Sequence, residues 1–99
     1  MDTTDILMER EQTYGRYEIV SNISQEIKRV MRESPNYSIM PNFARESMDM
    51  IANKIARILN GSYYHEDSWR DISGYAQLVI MTLEDLHNDN QPNITWTNW

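Results

Sequence analysis

Cysteine is absent, glycine and proline number three each, and phenylalanine occurs once in these 99 residues. Without cysteine there is neither a disulfide framework nor a thiolate metal site, and compartment is left open on that count. So few glycines and prolines, placed near apparent boundaries, predict a mostly helical chain. No apolar run approaches the roughly 20 residues of a membrane span. The opening MDTTDILMEREQ lacks the basic and apolar regions of a signal peptide, so the cytoplasm is the expected location, with no membrane partner. Basic residues are also scarce: nine Lys and Arg against fifteen Asp and Glu give a formal charge of −6. That deficit argues against general DNA or RNA binding, which rests on neutralising phosphates. An acidic chain can still bind a nucleotide through a metal ion or a local basic cluster, and it also suits a partner with a basic surface.

What is present is enough apolar content, 40%, for one folded domain near the small end of what buries a core alone. Oligomerisation would supplement that core. A first short helix is expected over 5–13, closed by Tyr14-Gly15. A second follows over 17–32, with Val20, Ile23, Ile27, Val30 and Met31 on one face, and Ser34-Pro35-Asn36 stops it. Residues 37–40 read as an irregular apolar loop. Pro41-Asn42 opens a third helix to Leu59, with a buried stripe of Ala44, Met48, Ile51, Ile55, Ile58 and Leu59, and Asn60-Gly61 ends it. A fourth runs over 67–87, where Trp69, Ile72, Ala76, Val79, Leu83 and Leu86 keep the spacing of an antiparallel bundle seam. The expected fold is therefore a small all-α antiparallel bundle over residues 1–87. A polar tail over 88–99 carries Ile94, Trp96 and Trp99.

The stretch 46–75 holds the chemistry. On a wheel of roughly 100° per residue, Glu46, Asp49, Asn53 and Arg57 share an arc opposite the Met48-Ile51-Ile55 stripe, with Lys54 at its border. A polar arc of this kind is ordinarily a solvated helix face. The fourth helix changes the balance, because Asp67 and Asp71 share their side with Gly74, Leu78 and Met81. A helix apolar on both sides is covered on both sides, which places Asp71 beside a packed second interface. A carboxylate buried there must be paired, hydrogen-bonded or metal-bound. Two readings follow: a salt-bridge lock to Lys54 or Arg57, or a Mg²⁺ site with Lys54 and Arg57 reaching phosphates.

Other groups carry weaker signals. His65 and His87 lack the short spacing of a zinc motif. No serine sits in a nucleophile turn. Tyr14, Tyr17, Tyr63 and Tyr64 can stack on a base, although aromatic residues at helix ends more often close a small core. Gly15 and Gly61 suit helix stops and do not make a phosphate loop.

Three blocks, Arg10 with Tyr14-Gly15, Met50 to Arg57 and His65 to Ala76, carry a resemblance. Over residues 5–87 the chain resembles small phage and prophage helical proteins that are themselves similar to MazG-like nucleotide pyrophosphohydrolases. The resemblance implies a helical bundle that is dimeric or higher, in the cytoplasm of a bacterial host. It also implies Mg²⁺ held by acidic residues of two helices. The activity implied is cleavage of a nucleoside triphosphate by metal-activated water. Carried onto this chain, Glu46, Asp49, Asp67 and Asp71 take the catalytic positions, with Glu46, Asp49 and Asp71 on the metal. Asn53, Lys54, Arg57, Tyr14 and Tyr75 take the ligand. The second acidic motif is Asp-x-x-x-Asp, where MazG-like enzymes carry a richer set of glutamates. The alternative expectation is a non-enzymatic counter-defence protein that binds a host protein or sequesters a signalling nucleotide.

Overall fold

The computed structural model describes residues 2–88; the tryptophans of the tail lie outside the described residues. The elements are α1 (Thr3–Tyr14), α2 (Tyr17–Glu33), a short 3-10 turn η1 (Tyr37–Ile39), α3 (Asn42–Asn60) and α4 (Glu66–Asn88), an all-α fold. Boundaries follow local chemistry. The Asp2 side chain accepts from the Asp5 amide at 3.0 Å and caps α1. Gly15 ends α1 at φ 83, a conformation open to glycine and strained for other residues. The residues read as a loop at 37–40 instead make one turn of 3-10 helix. Gly74 lies inside α4 and marks no boundary.

α3 is the centre of a layer. It packs on α2 along one side and on α4 along the other, while α2 and α4 share no packed interface of their own. Both neighbours run antiparallel to it. Val20, near the start of α2, lies with Asn53 and Arg57, near the end of α3. Lys54, near the end of α3, pairs with Asp71, near the start of α4. α1 crosses the end of this layer and buries no residue of its own.

Small side chains make the helix contacts. The buried residues are Val20 and Ser24 on α2, Ala44, Ser47, Ala52, Lys54 and Ala56 on α3, and Ser68 on α4. Alanine and serine let helix backbones approach closely, so the large apolar side chains are displaced to the flanks of each contact. No large side chain is fully buried among the described residues. Several expected core residues are accordingly exposed: Val30, Met48, Ile55, Leu59, Trp69 and Leu86, with Ala76. On α4 the half-buried positions are Ile72, Tyr75, Val79, Thr82 and Leu83, which with Ser68 face α3. The seam is rotated from the expected one toward Ser68, Tyr75 and Thr82. The hydrophobic count marked the wrong centre because small residues set the closest approach.

Candidate functional site

Two helix breaks interlock at one end of the molecule. The α1–α2 elbow at Gly15 lies against the α3–α4 elbow at Asn60-Gly61. A Cβ on Gly15 would fall 2.8 Å from the Asn60 carbonyl oxygen, and one on Gly61 would fall 2.5 Å from the Tyr14 Cα. The Ser62 amide donates to the Thr13 carbonyl at 2.8 Å, and the Asn60 side-chain amide donates to the Tyr14 carbonyl at 3.4 Å. Gly61 has φ −117, so it is required there by close approach and not by a left-handed backbone. Both glycines do end helices, as their sequence context predicts.

Tyr14 is thereby fixed as a hub. The Arg57 guanidinium lies 4.6 Å from its ring centroid and the Arg10 guanidinium 5.9 Å. Both are within the range in which a cation is attracted to an aromatic face. The His65 ring meets Tyr14 edge-on at 5.7 Å, and its Nε2 lies 3.2 Å from an Asp67 carboxylate oxygen. Beside Tyr14 opens a cavity of about 380 Å³, lined chiefly by Arg10, Tyr14, Arg16, Tyr17, Asn53 and Arg57. That volume falls within the roughly 300–1,000 Å³ of small-molecule sites. Glu11 and Glu18 also reach the cavity, and Arg16 is paired with Glu18 at 2.6 Å. Arg10 and Arg57 have no carboxylate partner among the described residues. In a chain of charge −6, two such guanidinium groups thus stand on one concavity.

The expected site residues divide. Tyr14, Asn53 and Arg57 meet at the cavity. Lys54 is buried and bound to Asp71 at 3.2 Å, so it is a structural partner of that carboxylate. Asp71 is not enclosed by a second interface: its side chain is 49% exposed, and Leu78 and Met81 beside it are open. Asp49 accepts from the Tyr37 hydroxyl at 2.9 Å, and this bond, with a smaller contribution from burial, raises the Tyr37 phenol above its ordinary pKa. Asp67 is engaged with His65, and Glu46 stands exposed on α3. Tyr75 is half-buried on the α3-facing side of α4 and does not line the cavity.

Among the described residues no three carboxylate or imidazole side chains gather closely enough to hold a metal ion. Glu46, Asp49 and Asp71 accordingly do not gather as one three-ligand group among the described residues. Arg10 and Tyr17 enter the site beyond the expected ligand set, and His65 borders it through its edge-on contact with Tyr14. The signal for Arg10 lies in its spacing, one helical turn before Tyr14 at a helix-ending glycine, which puts both on the same α1 face.

No helix among the described residues is long and apolar enough to cross a membrane. No curated protein and no solved structure matches the chain. A family model described as a domain of unknown function, DUF6378, matches residues 3–82, a span that takes in both elbows, the Tyr14 cavity and the Lys54–Asp71 pair. The chain belongs to the DUF6378 family.

Proposed function

We propose that this protein binds a phosphorylated ligand carrying a planar base, a nucleotide, in the Tyr14 cavity. The observation that carries the reading is the pair of guanidinium groups without carboxylate partners among the described residues, Arg10 and Arg57, set against one tyrosine ring at a cavity of nucleotide size. Guanidinium groups bind phosphate oxygens in a bidentate fork. Tyr14 and Tyr17 offer ring faces for a base, and the Asn53 amide offers a donor and an acceptor for its edge. Hydrolysis is a further step that this arrangement does not by itself supply, because the carboxylates expected to hold Mg²⁺ are committed elsewhere or stand apart. Mg²⁺ accordingly enters the test as a variable.

A thermal-shift screen of mono-, di- and triphosphates and cyclic nucleotides, each with and without Mg²⁺, tests the proposal. A ligand selective for the folded state at 100 times its Kd stabilises by about 2.7 kcal/mol. For a chain of this size that raises Tm by roughly 10 °C or more. Arg57→Ala should weaken binding about tenfold or more while lowering the unliganded Tm by only roughly 2–8 °C, the cost of its contact with the Tyr14 ring. No shift with any nucleotide overturns the reading. Binding without turnover supports capture of a signalling nucleotide, and release of pyrophosphate supports the pyrophosphohydrolase.

A further inference from the structure

The Tyr14 cavity is polarised along its α1 wall. At roughly 100° per residue, the α1 residues that line it follow one another around the helix in the order Arg10, Tyr14, Leu7, Glu11. A guanidinium therefore stands at one margin and a carboxylate at the other, with a ring and an aliphatic side chain between them. Arg57 joins the cationic margin, since its guanidinium and that of Arg10 both lie over the Tyr14 ring. Tyr17 and Val20, one turn apart on α2, add to the apolar part of the lining. The two carboxylates of the cavity differ. Glu18 is neutralised by Arg16 at 2.6 Å. Glu11 forms no ion pair among the described residues. The positions three and four residues from it on α1, Leu7, Met8, Tyr14 and Gly15, hold no basic side chain. Its own carbonyl accepts from the Gly15 amide at 2.8 Å, which ties this turn of α1 to the elbow.

We infer that Glu11 reads the base of the bound nucleotide and selects guanine, accepting from its ring N–H and its exocyclic amino group. The inference rests on the nucleotide reading and deepens it by naming the base. An ionised carboxylate has acceptor sites only, and its two oxygens match two donors placed side by side. Guanine presents such a pair on its pairing edge. Adenine presents a ring-nitrogen lone pair beside its amino group, and a carboxylate repels that lone pair. The order along the wall also matches the order along the ligand. Phosphate goes to Arg10 and Arg57, the base lies against Tyr14, Leu7 and Tyr17, and its far edge meets Glu11. Ribose adjoins the phosphate and so lies nearer the arginines, which makes its hydroxyl pair the poorer source of the two donors.

Isothermal titration of the full chain with GTP, ITP, ATP and dGTP, and with the corresponding monophosphates, tests this. GTP and dGTP should bind about tenfold or more tighter than ATP, with ITP weaker than GTP because it lacks the amino group. Glu11 is exposed, so Glu11→Gln should leave the fold intact, which the unliganded Tm checks. The substitution should weaken GTP binding about tenfold and, by taking a negative charge from the cavity, strengthen ATP binding slightly. Those opposite signs are the signature of base reading. A carboxylate that is only solvated would let both nucleotides bind more tightly together, and that result overturns the inference while leaving the nucleotide reading intact. Equal affinity of the wild type for GTP and ATP does the same. So does a preference for GTP over dGTP that Glu11→Gln erases, which assigns Glu11 to the ribose. No binding of any nucleotide overturns both readings.

Discussion

The two sides of the helical layer are built on opposite principles. At the cavity side, the contacts are specific and directional: two elbows fitted backbone to backbone, a tyrosine between two arginines, and an imidazole against a carboxylate. On the other side, large side chains stand exposed without a hydrogen bond to orient them, apart from the Trp69 indole, which donates to the Tyr63 carbonyl at 2.7 Å. A small chain cannot bury a large core within one layer, and here the small residues Ala44, Ser47, Ala52 and Ala56 hold the helices together. The difference assigns separate tasks to the sides. One is preorganised for a small polar ligand, and the other offers non-directional apolar area.

The sharpest way to break the cavity side alone is Gly61→Ala. Its Cβ would meet the Tyr14 Cα at 2.5 Å, and backbone atoms cannot yield as a flexible side-chain tip can. Overpacking of this kind costs about 1–3 kcal/mol. The expected result is a Tm lowered by roughly 5–20 °C, measured by calorimetry. Nucleotide response should fall further than stability does, because Tyr14 must move. Wild-type Tm in this variant would show that the elbows do not approach as described.

The all-α fold and the positions of both helix-ending glycines follow from local spacing, as does the shared α3 arc of Asn53 and Arg57; Tyr14 joins them at the cavity through the tertiary packing of α1, which spacing does not display. Helix periodicity and glycine chemistry act over a few residues, so the chain displays them directly. The carboxylate arrangement does not follow in the same way. Glu46, Asp49, Asp67 and Asp71 share helix faces in projection, but a wheel says nothing of what the neighbouring element presents. Tyr37 in η1 takes Asp49, and His65 in the α3–α4 connection takes Asp67. The rotated α4 seam has the same origin. Apolar residues at three- and four-residue steps mark a stripe, while the line of closest approach is chosen by Ser68 meeting the small residues of α3.

A middle-sized effect separates a structural Lys54 from one poised for phosphate. Lys54 is buried and Asp71 is half exposed, so removing the carboxylate leaves a sheltered ammonium without its partner. Exposure of Asp71 reduces that cost to about 1 kcal/mol. Asp71→Asn should therefore lower stability by about that amount in urea unfolding, and Lys54→Met, which removes the charge and keeps the stem, by less. Nucleotide affinity should change little in either variant. If Lys54→Met abolished nucleotide binding without altering stability, the ammonium would belong to the ligand site, and the cavity would extend toward α4.

Tyr37 and Asp49 give the smallest effect and reach the opposite end of the molecule from the elbows. The Tyr37 hydroxyl donates to Asp49, and its pKa is raised because ionisation would break that bond and set two negative charges together. A folded pKa above the unfolded value of about 10 means that the neutral phenol stabilises the fold fully below that pH. Its contribution is lost as pH rises through the raised folded value. Tyr37→Phe should thus be slightly less stable than wild type at pH 7, with the gap closing above roughly pH 10 because phenylalanine has nothing to ionise. Paired urea unfolding curves across that range check the sign. A gap that stayed constant with pH would assign the difference to packing of η1 against α3, and the hydrogen bond would then have no share in holding that end of the layer.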